Sequence, residues 1–133
     1  MRKLLSTLFV LVLLLLFAGV SRAGETTGAG EVVPGIPAKN TVTLVDLGAT
    51  TCIPCKMMLP ILEELKKEYK GRAEVTFIDI QDEANAGKAQ AFKIMVIPTQ
   101  IFYDRHGKEV FRHVGFFDKK SISARLDAIL AQK

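Results

Sequence analysis

Residues 41–55 read TVTLVDLGATTCIPC, an apolar stretch that leads directly into the only two cysteines of the chain. The β-branched and apolar residues from Thr41 to Gly48 predict a buried strand. From Cys52 to Tyr69, apolar residues recur at helical spacing opposite charged ones, which predicts an amphipathic helix. The cysteines therefore lie where a strand ends and a helix begins, and open α/β sheets form their ligand sites at that edge.

The spacing of Cys52 and Cys55 suits a reversible dithiol. Residues three apart share one face of a helix, so the two sulfurs can meet with little movement of the backbone. Cys52 lies at the helix N terminus, where unpaired amides and the helix dipole favour a thiolate, whereas Cys55 lies one turn further in. We therefore predict that Cys52 is the nucleophile and that Cys55 is the more buried, resolving thiol.

Other interpretations of the cysteine pair stay open at this point. The pair can be structural, either as two buried thiols or, in an oxidising compartment, as a static bridge. It can also be half of a metal site, but a structural zinc needs four ligands, and the only histidines are His106, in a predicted turn, and His113, on a predicted strand. Since no second ligand cluster accompanies the pair, we expect no metal and no other cofactor.

The remainder of the chain continues as strands and helices. The pattern predicts strands at 73–80, 99–103 and 109–114 and helices at 83–93 and 119–131, the last of them capped by Asp118. Residues 104–108 read DRHGK and join the last two strands as a hairpin turn. This order predicts an α/β fold with a mixed central sheet and helices on both faces.

The N terminus has the features of a secretory signal peptide at residues 1–23. Arg2 and Lys3 precede a nearly continuous apolar run at 4–20, and residues 21–23 (SRA) offer small residues at the positions that a signal peptidase reads. We expect cleavage after Ala23 and a mature protein in the periplasm or another extracytoplasmic compartment, where disulfides persist. The alternative is an uncleaved signal that anchors the protein in the membrane.

Composition sets the remaining boundaries. Residues 24–40 are rich in Gly, Thr and Pro and predict a flexible N-terminal arm, so that the folded domain spans residues 41–133. Three of the 18 basic residues fall in the predicted signal peptide, which leaves 15 basic against 14 acidic residues. Without a basic surface that could track phosphates, we expect no nucleic-acid partner.

From about Thr41 to the C terminus, the sequence resembles the thioredoxin family. The resemblance implies a thioredoxin-like fold and dithiol–disulfide exchange. Residues 24–40 do not match the extra strand and helix of full-length thioredoxins, so we expect a fold trimmed at its N terminus. The matching segments, which agree in order and spacing, are Val45-Asp46-Leu47, Cys52-Ile53-Pro54-Cys55-Lys56-Met57, Pro60, Ile97-Pro98-Thr99 and Val114-Gly115.

The resemblance also implies roles for individual residues. Cys52 matches the attacking cysteine and Cys55 the resolving one, with Cys52–Cys55 as the disulfide of the oxidised state. Asp46 matches the family's buried acid, which relays a proton. An aspartate in an apolar strand is costly unless it is neutral, paired or functional, because desolvation raises its pKa. The alternative for Asp46 is a carboxylate at a strand end that reaches water.

Substrate contacts are implied for residues around the cysteines. Pro98 matches the family's cis-proline, which faces the cysteines, and the backbone of Ile97 stays free to pair with an extended substrate strand. Gly115 lies near the same surface and leaves room for a bulky partner. The full set of implied substrate-binding residues is Ile53, Pro54, Ile97, Pro98, Thr99 and Gly115.

Several positions depart from the family pattern. The chain has no tryptophan; Thr51 stands immediately before the first cysteine, and Gly48 occupies a second position where tryptophan is usual. The second strand offers no lysine beside Asp46, since Phe77 or a neighbour falls there. We therefore expect a less aromatic lip around the cysteines and a pKa of Asp46 unlike that of the corresponding acid in thioredoxins.

Together these features predict an exported thiol–disulfide oxidoreductase that reduces protein disulfides. Ile53 and Pro54 include no histidine of the kind that stabilises the thiolate in strong oxidants. A reductant outside the cytoplasm needs electrons, so we expect a membrane protein as electron donor, protein disulfides or dithiols as substrates, and a monomer. The alternatives are an exported oxidase or isomerase and a non-catalytic binding module on the same scaffold.

Overall fold

The computed structural model describes residues 33–132, so the predicted signal peptide at 1–23 and residues 24–32 of the predicted arm lie outside the described residues. The strands are β1 (Val42–Gly48), β2 (Ala73–Asp79), β3 (Thr99–Tyr103) and β4 (Glu109–Val114). The α-helices are α1 (Ile53–Glu68), α2 (Lys88–Ala91) and α3 (Lys119–Leu130). A turn of 3-10 helix at Glu83–Asn85 precedes α2.

The four strands form one mixed sheet in the order β2-β1-β3-β4. β1 runs parallel to β2 and antiparallel to β3, and β3 and β4 form the antiparallel hairpin. This confirms the predicted α/β architecture. Because β1 and β3 run in opposite directions, the end of β1 and the start of β3 share one edge of the sheet, where Leu47 lies opposite Thr99.

Apolar side chains cover both faces of the sheet. On one face α1 and α3 pack against the strands, and on the other the cover comes from Phe92, at the end of α2, and from Val33. The residues at the centre of the first face include Leu44, Met58, Leu62, Phe102, Ile122 and Leu126. Those of the second face include Val45, Leu47, Ile78, Ile101 and Tyr103. The strand β1 alternates between the two clusters and is buried along its whole length.

The described end of the predicted arm contacts the domain. Val33 forms an isolated bridge with Ile36 and packs with it against the second core cluster. The amide of Ala38 donates a hydrogen bond of 3.0 Å to the hydroxyl of Thr43 in β1. Residues 33–38 are therefore held against the sheet by both apolar and polar contacts. Within residues 33–132, no helix combines the length and the apolar character needed to cross a bilayer.

The continuous helix predicted at 83–93 is wrong. The segment divides into the 3-10 turn and the four-residue helix α2, separated by Gly87 at φ +81°. A positive φ is inexpensive for glycine and incompatible with a continuing right-handed helix. Asp82 caps the first piece by accepting a hydrogen bond from the amide of Ala84, and Lys93 leaves the second at φ +56°. The alanine-rich composition alone did not reveal this break.

Candidate active site

The two cysteines are joined by a disulfide at the N terminus of α1, with their Cα atoms 5.3 Å apart. Cys52 is the N-cap residue, with extended backbone angles, and its carbonyl oxygen accepts a hydrogen bond of 3.0 Å from the amide of Lys56. Pro54 lies in the first turn, where a helix has no use for the missing amide hydrogen. The local sequence thus folds the pair into the geometry that its spacing predicts.

The two sulfur-bearing residues differ in exposure. Cys55 is fully buried at 0% exposed, whereas Cys52 is half-buried and reaches the surface. No side chain of the described residues caps the N terminus of α1, and its first turn carries no acidic residue. The helix amides and dipole therefore act on Cys52 without a competing carboxylate. In the reduced protein this arrangement allows Cys52 to be the accessible thiolate, and Cys55 lies on the inner side, where it can attack a mixed disulfide formed at Cys52.

The loop before Cys52 is fixed to the end of β2. One carboxylate oxygen of Asp79 accepts hydrogen bonds from the amide and the hydroxyl of Thr50, at 3.1 and 2.9 Å. The other accepts from the amide of Gln81 at 2.9 Å. Donation by Gln81 and then by Thr50 lowers the pKa of Asp79. Sequence reasoning did not identify this anchor of the active-site loop, which depends on two segments 29 residues apart.

Asp46 lies in the middle of the sheet, on the central strand β1. Its side chain is 0% exposed, and its neighbours across the sheet are Phe77 on β2 and Gln100 on β3. The side-chain amide nitrogen of Gln100, Nε2, donates a hydrogen bond of 3.0 Å to Oδ2 of Asp46. Burial raises the pKa of Asp46 to about 6, and the hydrogen bond from Gln100 opposes that rise. Such a carboxyl can take up and release a proton near neutral pH.

The position of Phe77 agrees with the expectation that no lysine lies beside the acid. Asp46 and Phe77 are direct partners in the parallel pairing of β1 and β2. The ring of Phe77 also approaches Gly48, since its Cε2 lies 3.0 Å from the place where a Cβ on Gly48 would stand. An aromatic ring thus fills the space next to the buried acid and the glycine.

The loop before β3 brings Pro98 to the same edge of the sheet as the cysteines. The Ile97–Pro98 bond is cis, as the family resemblance implies. The carbonyl oxygen of Pro98 accepts a hydrogen bond of 2.8 Å from the amide of Gly115, at the end of β4. Thr99 is 2% exposed and donates its hydroxyl hydrogen to the carbonyl of Val96, so its side chain orders the loop and faces inward. Ile97 is half-buried.

Exposed apolar side chains lie on the segments that meet at this edge, and sequence reasoning missed most of them. The two residues between the cysteines are exposed, Ile53 at 75%, and Met95 before the proline loop is 93% exposed. We call the following set the apolar rim: Ile53, Met57, Met95, Val96, Val114 and Phe116, all of them exposed. Their positions in the sequence could have identified them, because Val96 and Val114 directly adjoin the segments that contain Pro98 and Gly115.

The two histidines make their hydrogen bonds and ring contacts with residues other than the cysteines. His106 sits in the hairpin turn, where its backbone amide donates to Asp104. His113 stacks on the ring of Phe117 at 4.1 Å, and its Nε2 lies 3.2 Å from the carbonyl oxygen of Phe116. Across residues 33–132, no three His, Cys, Asp or Glu side chains form a group that could hold a metal ion.

Comparison with known proteins agrees with the geometry. The thioredoxin family profile matches residues 34–128. The thioredoxin of Staphylococcus aureus strain Mu50 is 41% identical over 86 residues, which cover 65% of this chain and 80% of that protein. The thioredoxin of Staphylococcus haemolyticus strain JCSC1435 is 42% identical over the same shares. With the Cys52–Cys55 pair at the start of α1, the chain belongs to the thioredoxin family and is a thiol–disulfide oxidoreductase whose substrates are protein disulfides.

Proposed function

We propose that the protein is an exported reductant of protein disulfides, with Cys52 as the attacking thiolate and Cys55 as the resolving thiol. The observation that carries this proposal is the difference in exposure between the two sulfur-bearing residues at one helix terminus. Only the Cys52 side can be approached by a partner, and Cys55 is held where it can attack only its neighbour.

The reaction proceeds in two exchanges. The Cys52 thiolate attacks a substrate disulfide, a Cys52–substrate bond forms, and the other substrate sulfur leaves as a thiolate. Cys55 then gives its proton to the carboxylate of Asp46 and attacks Sγ of Cys52. The mixed disulfide breaks, the second substrate sulfur leaves as a thiolate, and Cys52–Cys55 is oxidised. Two electrons have passed from the dithiol to the substrate.

The direction of transfer follows from the residues between the cysteines. Strong oxidants owe their potential to a stabilised thiolate in the reduced form. Here Ile53 and Pro54 carry neither charge nor a side-chain hydrogen-bond donor. The Cys52 thiolate is therefore stabilised only by the amides and dipole of the helix terminus. A reduced form without this added stabilisation gives up its electrons more readily, which favours a reductant.

Substrate recognition fits an extended chain that carries a disulfide. The apolar rim can cover apolar side chains of the partner, and the backbone of Ile97 beside the cis-proline can pair with its main chain. Thr51 and Gly48 stand where tryptophan is usual in the family, so the apolar part of the lip consists mainly of methionine, valine and isoleucine. Flexible methionine surfaces accept varied shapes, so the rim favours a range of partners over one.

Export and electron supply complete the proposal. The segment at 1–23 directs the chain out of the cytoplasm, and the mature protein begins at Gly24. In an oxidising compartment a reductant must be reduced again after each turnover. A membrane protein that carries electrons from the cytoplasm supplies them, and the protein acts as a monomer.

Two measurements test the proposal. The reduction potential, obtained by equilibration with glutathione buffers, is expected near ~−270 mV; a value well above about −200 mV would identify an oxidase or isomerase instead. Catalytic reduction of insulin is expected with dithiothreitol as electron source, and no turnover would identify a binding module. Export is tested by fractionation of the full-length chain and N-terminal sequencing, where a chain retained in the cytoplasm would contradict it.

A further inference from the structure

Gln100 is a buried polar residue that sequence reasoning did not single out. It lies in β3 between Thr99 and Ile101 and is 0% exposed. Residues directly opposite each other on neighbouring strands point to the same face of a sheet. The register therefore places Phe77, Asp46, Gln100 and His113 in one row across β2, β1, β3 and β4.

The contact between Gln100 and Asp46 leaves one oxygen on each side chain unused. Nε2 of Gln100 donates to Oδ2 of Asp46 at 3.0 Å. Among the described residues, neither Oδ1 of Asp46 nor Oε1 of Gln100 has a hydrogen-bond partner, and both are buried. A buried oxygen without a partner costs free energy, so such a pair calls for an explanation beyond packing.

The explanation lies in the two ends of an amide. An ionised carboxylate only accepts hydrogen bonds, and the NH2 end of glutamine donates one. A protonated carboxyl has one O–H to donate, and the carbonyl end of the same glutamine can accept it after a half-turn of the amide. Gln100 can therefore bond Asp46 in either protonation state, and the oxygen left over differs between the two.

The other groups around Asp46 offer no such partner. β2 contributes the ring of Phe77, and the carboxylate of Asp79 further along is engaged with Thr50 and Gln81. His113 lies one strand beyond Gln100. The buried side chains that α1 and α3 contribute are all apolar apart from Cys55 and include Met58, Ile122 and Leu126. Of these only Cys55, in its reduced form, exchanges a proton in the reaction.

We propose that Gln100 is the positioning residue of the proton relay, whose amide turns to donate to ionised Asp46 and to accept from protonated Asp46. The proposal rests on the role of Asp46 in the proposed function. When Cys55 is deprotonated for its attack, the proton moves to Asp46 and the carboxyl O–H then bonds Oε1 of Gln100. Once Asp46 releases this proton to solvent, Nε2 of Gln100 again donates to the carboxylate, as it does in the disulfide form that the structure describes.

The first test needs no activity. The carboxyl carbon of Asp46 and the side-chain amide of Gln100 are followed by NMR through a pH titration of the reduced protein. Because one group turns with the protonation of the other, both signals are expected to shift with the same midpoint. Amide signals of Gln100 that stay constant while Asp46 titrates would overturn the inference in the wild-type protein itself.

The second test uses Gln100→Leu, which removes both ends of the amide at similar volume, with Gln100→Met as a second variant should the first not fold. Reduced protein is mixed with Ellman's reagent, and the second release of thionitrobenzoate reports the attack of Cys55 on the mixed disulfide. Of the two hydrogen bonds that Gln100 can form with Asp46, the one to the ionised carboxylate is charge-assisted and therefore the stronger. The loss of both is expected to move the midpoint of this rate upward by about one pH unit, with a roughly tenfold lower rate below it.

The matched control is Asp46→Asn, alone and combined with Gln100→Leu. If Gln100 acts through Asp46, the second substitution is expected to change the rate less than about twofold in a protein that already carries Asp46→Asn. Equal losses in both backgrounds without a change of midpoint would show a purely structural role and overturn the inference. If Asp46→Asn alone reacts as fast as the wild type, the proposed relay is overturned, while the NMR titration still decides the role of Gln100.

Discussion

Gly48 and Cys55 are in such close contact that a side chain at position 48 would collide with the buried cysteine. A Cβ built on Gly48 would lie 3.1 Å from Cβ and 3.2 Å from Sγ of Cys55. It would also lie 3.0 Å from Cε2 of Phe77. The backbone of β1 therefore forms the floor under the resolving cysteine, and the lack of a side chain at position 48 permits the close approach.

Gly48→Ala is expected to destabilise the oxidised protein by about 1–3 kcal/mol, the usual cost of overpacking a close-packed interior. Cys55 is fixed by the helix and the disulfide, so the ring of Phe77 must take most of the displacement. Urea unfolding of the oxidised protein measures the change in the free energy of unfolding. A variant as stable as the wild type would show that the contact is relieved without cost.

Phe77→Leu supplies the matched control for that prediction. A leucine lacks the ring atom nearest to Gly48. Gly48→Ala is therefore expected to lower the free energy of unfolding less in a protein that carries Phe77→Leu than in the wild type. The coupling between the two substitutions in a double-mutant cycle measures this difference. Additive effects would mean that the collision is with Cys55 alone.

The two cysteines are predicted to have different mutant behaviour. Cys52→Ser is expected to abolish insulin reduction, because the accessible attacking sulfur is lost. Cys55→Ser is expected to keep the attack and to accumulate mixed disulfides with partner proteins, visible as bands that disappear on reduction. If Cys52→Ser captures partners and Cys55→Ser captures none, the assigned roles are reversed.

Much of the fold could be predicted because its signals are local and strong. The bounds of β3 and β4 and the N-cap at Asp118 agree with the sequence analysis, since alternation and capping chemistry both act within a few residues. The segment at 83–93 could not be predicted in the same way. There Gly87 overrides a helical composition, and the backbone angle that decides it is invisible in the pattern.

In the candidate site, too, some residues could be predicted from the sequence and others could not. Asp46 and the cysteine pair stand out because a charge in an apolar strand and a CxxC spacing are unusual in themselves. Gln100 and Asp79 become visible only through strand register and loop contacts that join distant segments. A glutamine between Thr99 and Ile101 has the same pattern as an exposed strand position, so only the observed burial identifies it.

Asp46→Asn is expected to become increasingly stable relative to the wild type as the pH rises. Burial raises the pKa of Asp46 from 3.8 to about 6, so the folded protein binds this proton more tightly than the unfolded chain. The stability that the proton provides is complete below about pH 4 and is lost as the pH rises through 6. From the shift, the variant should gain roughly 3 kcal/mol over the wild type between pH 4 and 8.

Chemical unfolding of both proteins at several pH values checks that difference. The substitution Glu63→Gln, at an exposed position on α1, is the matched control and is expected to differ from the wild type by less than about 0.5 kcal/mol throughout. A difference between Asp46→Asn and the wild type that does not change with pH would contradict a buried, titrating carboxyl at this position.

The apolar rim is expected to contribute to substrate binding without contributing to stability. Met95 is 93% exposed beside the cis-proline loop, so Met95→Lys removes apolar contact only when a partner is bound. Loss of part of one large apolar contact is expected to lower kcat/KM for insulin about five- to tenfold, mainly through KM. The matched control is Val110→Lys, at an exposed apolar position near the start of β4, away from the edge that holds Val114. Both variants should keep the wild-type free energy of unfolding within about 0.5 kcal/mol; equal losses of activity in the two would show that added charge, and not the rim, weakens binding.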